Sequence, residues 1–220
     1  MQKLRWQFKH YSAGLAVLLF ITAIAWLLWP RAWVSIEQGN FQLSATIESS
    51  RWVARSVQPQ DRPFFEKLFK DGRIMPMLSD VPAFRDDIIE YIFERRWIDK
   101  WRAQIPYSGF IVIDKHTNQP IGFMRIETTT NTPGQAEISY AVLPEFQRKG
   151  LGTEMVKALV HDYAPLARDK GYMALGKPLT EIVATVLDAN IASQRVVEKV
   201  GFHQVGQVLN KKLYRYQLPS

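Results

Sequence analysis

The stretch from Glu137 to Thr153, EISYAVLPEFQRKGLGT, limits the fold more than any other part of the chain. The apolar run Ala136–Leu143 reads as a strand. Leu151, Met155, Leu159 and Tyr163 then recur every four residues, which lays an apolar stripe along a helix. A strand that passes through a glycine-bearing loop straight into a helix belongs to an α/β architecture. Such a loop is also an anion site. Glycine lets the main chain approach an anion closely, and the unpaired amides of the first helical turn point at it with the helix dipole behind them. Gln147, Arg148, Lys149 and Thr153 add side-chain donors around Gly150, Leu151 and Gly152. The loop is not the nucleotide P-loop, because no Gly-Lys-Ser/Thr follows at the required spacing. It lacks the third glycine of the dinucleotide fingerprint.

The surrounding sequence alternates strands and helices. Trp52–Val57 reads as a strand closed by Pro59, and Asp61 with Pro63 starts a helix carrying Phe64, Phe65, Leu68 and Phe69. A longer helix is predicted from Phe84, Ile88, Ile92, Phe93, Trp97 and Trp101, all on one buried face. Phe110–Ile113 and Ile121–Ile126 form a hairpin around Lys115–Pro120. Pro165 or Gly171 ends the helix begun at Leu151. Ile182–Val186 is a buried strand, Ala192, Val196 and Val200 mark a helix stopped by Gly201, and Val205–Leu209 with Leu213–Leu218 complete the sheet. Residues 31–50 read as a linker with room for a short strand, and residues 51–220 as the globular domain. Trp97 and Trp101 read as core, Asp86 and Asp87 as a solvated helix face, and His116 as a surface turn.

Twenty consecutive uncharged residues separate His10 from Arg31. As a helix, residues 12–29 extend about 27 Å, close to the thickness of a bilayer's hydrocarbon core. With Tyr11 at one end and Trp26, Trp29 and Trp33 at the other, residues 1–30 read as a single-pass membrane anchor. A cleaved signal peptide, leaving a secreted protein, is the alternative, with Ala23-Ile24-Ala25 as the cleavage site. Lys3, Arg5 and Lys9 precede the run, so the positive-inside rule would put the remainder of the chain on the exported side. An enzyme that draws on a cytosolic cofactor would need the other side, and the side of the membrane stays open.

Composition removes several classes. No cysteine is present, which excludes disulfides, thiolate metal sites and cysteine nucleophiles. The four histidines lack metal-ligand spacing, so no metal is expected. A net charge of +7 suits anionic lipid or an acidic small molecule, and no nucleic-acid motif accompanies it.

Gln147-Arg148-Lys149-Gly150-Leu151-Gly152 resembles the Gln/Arg-x-x-Gly-x-Gly/Ala pyrophosphate loop of GNAT acetyltransferases. Forty residues on, NIASQRVVEKVGF (Asn190 to Phe202) resembles the second signature of that superfamily, Asn-x-x-Ser/Ala ending in Gly-Phe. The similarity covers about residues 51–218. It is closest to the branch that acetylates ribosomal-protein N-termini, through Tyr140, Pro144-Glu145 and Ser193. The resemblance implies a mixed, mostly antiparallel sheet of six to seven strands flanked by helices. It also implies transfer of an acetyl group from acetyl-CoA to a primary amine of a protein N-terminus, a lysine or a small molecule. The pyrophosphate would lie on Gln147–Thr153. Main-chain amides of Val142 and Leu143, with Asn190, would hold the pantetheine arm where the strand splays from Ile182–Val186. Glu137 occupies a common position for the general base, with a solvated strand carboxylate as its plain reading. Many relatives carry a tyrosine acid where this chain has Val197, so Ser193 is the substitute acid and Tyr140 the weaker choice. Val197 also leaves open a non-catalytic acyl-CoA sensor or interaction domain. A basic membrane-surface or nucleic-acid binder is the third reading.

Overall fold

The computed structural model of the chain describes residues 31–219. Its centre is a nine-stranded sheet in the order β1-β2-β3-β4-β5-β6-β9-β11-β10. The strands are β1 (Trp33–Gln38), β2 (Leu43–Glu48), β3 (Trp52–Ser56), β4 (Gly109–Asp114), β5 (Pro120–Thr128), β6 (Gln135–Val142), β9 (Glu181–Leu187), β10 (His203–Val208) and β11 (Lys211–Gln217). A separate two-stranded hairpin pairs β7 (Met173–Ala174) with β8 (Lys177–Pro178). Among the described residues, besides two short 3-10 turns (Pro59–Asp61 and Pro144–Phe146), five helices accompany them: α1 (Arg62–Leu68), α2 (Met75–Leu78), α3 (residues 86–102), α4 (residues 151–169) and α5 (Ile191–Val200).

The expected six- to seven-stranded sheet is therefore enlarged. The two added strands come from the segment taken for a linker. Trp33–Gln38 and Leu43–Glu48 pair antiparallel with each other, and β2 continues onto β3. The reason is periodicity: Leu43, Ala45 and Ile47 are buried while Ser44, Thr46 and Glu48 alternate with them on the more open face. Small and polar residues in that alternation hide it from a hydrophobicity scan. The membrane helix is a second correction. Among the described residues no helix is long and apolar enough to cross a membrane. The span expected over residues 12–29 lies outside the described residues.

Within α3 the central part, Tyr91–Ile98, is π-helical, and α4 has a π-helical part over Ala158–Tyr163. An i→i+5 turn carries more residues than an α-turn, so positions four apart stay in line. Leu151 and Met155 share a face in the α-helical part, and the π-helical part keeps Leu159 and Tyr163 in line with them, so all four are buried. In α3 the buried stripe is Ile89, Phe93, Trp97 and Trp101; Ile88, expected on that face, is 38% exposed. Pro165 sits inside α4, and Gly171 follows the end of the helix.

The core lies on both faces of the sheet. Phe65 from α1 and Phe69 at its C-cap, Phe93 and Trp97 from α3, and Phe123 from β5 form one aromatic cluster with ring separations of 5.1–6.4 Å. Phe110 stands opposite Met124 in register, so it faces the other side, where the Tyr163 ring of α4 packs edge-on at 5.0 Å. Each such aromatic removes 150–250 Å² from water, on the order of 2–3 kcal/mol apiece. Gly122 in β5 lies so close to β6 that a Cβ there would meet the Ala141 carbonyl oxygen at 2.2 Å. That contact fixes how near β6 sits to its neighbour on this side.

Candidate functional site

All strand pairs of the main sheet are antiparallel except one. β6 and β9 run parallel and pair only at Gln135↔Glu181, Ala136↔Ile182 and Glu137↔Val183. Beyond Glu137 the strands part, leaving a gap at their carboxyl ends. The alternation of the β5–β6 ladder decides which groups face it. Leu143 N–H donates to the Ile121 carbonyl at 2.8 Å. In an antiparallel ladder the next residue then turns its amide the other way, so Val142 N–H points into the gap. Leu143, expected to share the role of Val142, has its amide committed to β5. Gln147 Nε2 donates to the Val142 carbonyl at 2.9 Å, which ties the loop back onto the strand end.

The loop itself is built from left-handed residues. Arg148 has φ +61° and Gly150 has φ +77°. Gly150 is the N-cap of α4, with no side chain capping the helix. Glu154 N–H makes the first helical bond, to the Gly150 carbonyl at 3.2 Å. The amides of Leu151, Gly152 and Thr153 consequently lack intrahelical acceptors. They border a cavity of about 480 Å³ that Tyr140, Val142, Arg148 and Ser193 also line. Lys149 is directed elsewhere: its ammonium stands 5.2 Å from the centre of the Phe146 ring. Sequence reasoning missed the brace beneath the loop. Arg51 Nη1 donates to the Lys149 carbonyl at 3.0 Å and its Nη2 to Glu154 Oε1 at 2.7 Å. Trp52 Nε1 donates to the same Glu154 carboxylate at 3.3 Å. Arg73 also lines the cavity, unforeseen, with its guanidinium on Asp71 and Glu145.

A second cavity, of about 330 Å³, opens on the other side of Tyr140 and Ser193, which line both. These two hydroxyls are 2.9 Å apart. Burial pushes the Tyr140 phenol up to about 12, against the opposing effect of the Ser193 bond. Asn190 also borders both cavities, yet both ends of its amide are engaged. Oδ1 accepts from Ser193 N–H at 3.0 Å as the N-cap of α5, and Nδ2 donates to the Met77 carbonyl at 2.9 Å. As placed, it positions Ser193 and ties α5 to α2, and its amide keeps one further donor and one further acceptor site. Val197, in the position where relatives carry a tyrosine, is fully buried.

Glu137 stands on the wall of the second cavity, one third exposed. Its Oε1 accepts from Thr185 Oγ1 at 3.1 Å and its Oε2 from Arg125 Nη2 at 3.4 Å. Directly opposite in register is Glu127. Like charges so placed repel, and Arg125 separates them by bonding to both. Glu127 is buried and also accepts from Arg96 Nη2 at 2.8 Å and Lys100 Nζ at 2.9 Å. Burial raises its affinity for a proton, but Arg125, Lys100 and Arg96 outweigh that and hold the carboxyl below its usual range. No group of side chains among the described residues is arranged to hold a metal ion. None of Glu127, Arg96 or Arg125 was visible as a site residue in the sequence.

Residues 51–203 match the model of the acetyltransferase (GNAT) domain. An uncharacterized N-acetyltransferase of Bacillus subtilis, YoaA, is 31% identical over 181 residues, covering 79% of this chain and 90% of its own. Among solved structures, an acetyltransferase from Agrobacterium tumefaciens superposes with a TM-score of 0.63 at 18% identity, over 78% of this chain and 93% of that one. A spermidine N-acetyltransferase from Vibrio cholerae, solved with CoA and spermine, gives 0.60 at 18% identity, over 77% and 96%. The ribosomal-protein-S5-alanine acetyltransferase from Vibrio fischeri gives 0.59 at 16% identity, over 78% and 96%. The expected likeness to ribosomal-protein acetyltransferases is present. The polyamine enzyme stands at the same distance, so these similarities establish a shared fold and leave the acceptor open.

Proposed function

The chain belongs to the GNAT acetyltransferase family and is an acetyl-CoA-dependent acyltransferase, and we propose that it acetylates a primary amine by direct attack within a ternary complex. One observation carries this reading: β6 and β9 part beside a helix start that no side chain caps. That pairing offers a slot for an extended arm and main-chain donors for a diphosphate, the two parts of coenzyme A that a protein must hold.

Acetyl-CoA supplies an activated acetyl group as a thioester. Val142 N–H bonds the arm as an added strand would, and polarises the carbonyl as negative charge grows on its oxygen. The amides of Leu151, Gly152 and Thr153 take the diphosphate, with Arg148 at its side. The acceptor enters from the second cavity. Glu137 takes the proton lost by the nitrogen, directly or through a water. Tyr140 keeps its proton at neutral pH and shares it with Ser193, so this hydroxyl pair supplies the proton to the departing sulfur. Asn190 acts through Ser193 as a positioning residue.

The test is release of free coenzyme from acetyl-CoA with a panel of amines, comparing the wild type with Glu137→Gln. The proposal expects turnover that falls at least a hundredfold in the variant at neutral pH, while acetyl-CoA affinity holds within a few-fold. Val197 favours a second reading, a sensor that binds acyl-CoA without turnover. Tight binding with no release on any amine would support it. The Tyr140–Ser193 pair restores the hydroxyl that Val197 lacks, which is why the enzymatic reading is preferred.

A further inference from the structure

Resting on that reading, we infer that the acceptor is an amine that also carries a carboxylate on an apolar body, of the kind a free hydrophobic amino acid presents. The second cavity is mixed in charge and has a definite polarity. Arg96, Arg125 and Lys211 line it against Glu127 and Glu137. Both carboxylates are already bonded by cations, Glu127 by three of them. A polyamine, with two or more positive charges, meets no unpaired carboxylate on this wall.

Arg96 is the open donor. Only its Nη2 is bonded, to Glu127, and 41% of the side chain is exposed where it borders the cavity. Its Nη1 and Nε have no protein acceptor among the described residues. Nη2 keeps a second hydrogen, which with Nε or Nη1 leaves one edge of the fork open, and such an edge suits a planar carboxylate. Trp97, beside it in α3, gives its ring to the same wall, with the indole N–H closed off from the cavity. The remaining wall is apolar, from Phe69, Phe84, Ile92 and Phe123. A volume of about 330 Å³ suits a single amino acid. With the carboxylate at Arg96 and the apolar body on the aromatic wall, the amine falls on the Glu137 and Tyr140 side.

The experiment compares initial rates with phenylalanine, phenethylamine and spermidine, using the full chain and saturating acetyl-CoA. The first two share a body and differ by the carboxylate. The expected result is a kcat/KM for phenylalanine roughly ten- to a hundredfold above phenethylamine, with spermidine lower still. Arg96→Gln should bring the phenylalanine-to-phenethylamine ratio towards one, mainly by raising the KM for phenylalanine, and Arg96→Lys should restore part of it. The ratio is internal to each variant, so a general loss of stability does not mimic the effect. Equal or better use of phenethylamine or spermidine would overturn the inference and leave the acetyltransferase reading standing. An unchanged ratio in Arg96→Gln would overturn it too. Absence of any turnover, with acetyl-CoA giving no thermal stabilisation, would bring down both.

Discussion

Tyr140 and Ser193 are joined by one 2.9 Å hydrogen bond, which makes two hydroxyls act as a single proton source. Residues that act as a unit do not add. Tyr140→Phe and Ser193→Ala should each lower kcat about ten- to a hundredfold, with little change in KM for acetyl-CoA, and the double variant should be no slower than the slower single one. Steady-state kinetics on the three variants checks this, and multiplicative losses would show the two acting separately. Glu127 allows a prediction of a different kind. Removing one partner of a buried charge cluster leaves the others uncompensated, so Glu127→Gln should cost about 3 kcal/mol in urea unfolding at neutral pH. Because the folded carboxyl is held below its usual range, its contribution is fully present above the unfolded value near 4.3 and is lost as pH falls through the folded one. The wild type should therefore lose stability steeply below about pH 4, and Glu127→Gln should follow a flatter course there. Parallel acid limbs would contradict the assignment.

The elements that hold the coenzyme side were legible in the sequence because their signals are local. A strand, a left-handed glycine and a four-residue apolar repeat lie within one short stretch, and the structure places β6, Gly150 and α4 there. What was illegible is what the register assembles. Arg51 reaches the Lys149 carbonyl across 98 residues of sequence, and Arg96 reaches Glu127 across 31. No spacing rule links such positions. The same limit explains Leu143, whose amide is lost to β5 through ladder alternation, and Asn190, turned into a helix cap by its place at the start of α5. Arg51→Ala tests the brace. Its ion pair is well exposed and worth little to stability, so the unfolding temperature should change by only a degree or two. The dissociation constant for acetyl-CoA should rise roughly three- to tenfold as the loop loosens. Equal coenzyme affinity in the variant would show that the loop holds its shape unaided. Gly122→Ala tests the strand beside it. A methyl group cannot pass a main-chain oxygen at 2.2 Å, so β6 must shift, at a cost of about 2–3 kcal/mol, and acetyl-CoA binding should weaken with it. Unchanged stability in that variant would mean that β6 is free to move.

Across the whole domain, a single departure from antiparallel pairing creates the site. Were β6 and β9 paired along their full length, no gap would exist. With Glu137 at the last paired position, the strands separate where the chemistry is needed. The nine-stranded sheet, two strands wider than expected, extends away from this gap on the β1 side and leaves it unaltered. One cavity meets the helix start and the other meets the charged wall of α3, with Tyr140 and Ser193 between them. Each cavity therefore has its own ligand chemistry, and the pair of hydroxyls is where the two ligands can meet. The most direct measurement is titration calorimetry of acetyl-CoA into the wild type and into Gly150→Asp. That substitution forces a side chain into a left-handed helix cap and sets a negative charge beside the Arg51 guanidinium, 3.8 Å from the new Cβ. It therefore strains the loop, competes for its brace and adds charge next to the anion site. The wild type should bind with one site per chain and the variant at least a hundredfold more weakly. Equal heats from the two proteins, or none from either, would contradict the placement of the coenzyme on the Gln147–Thr153 turn.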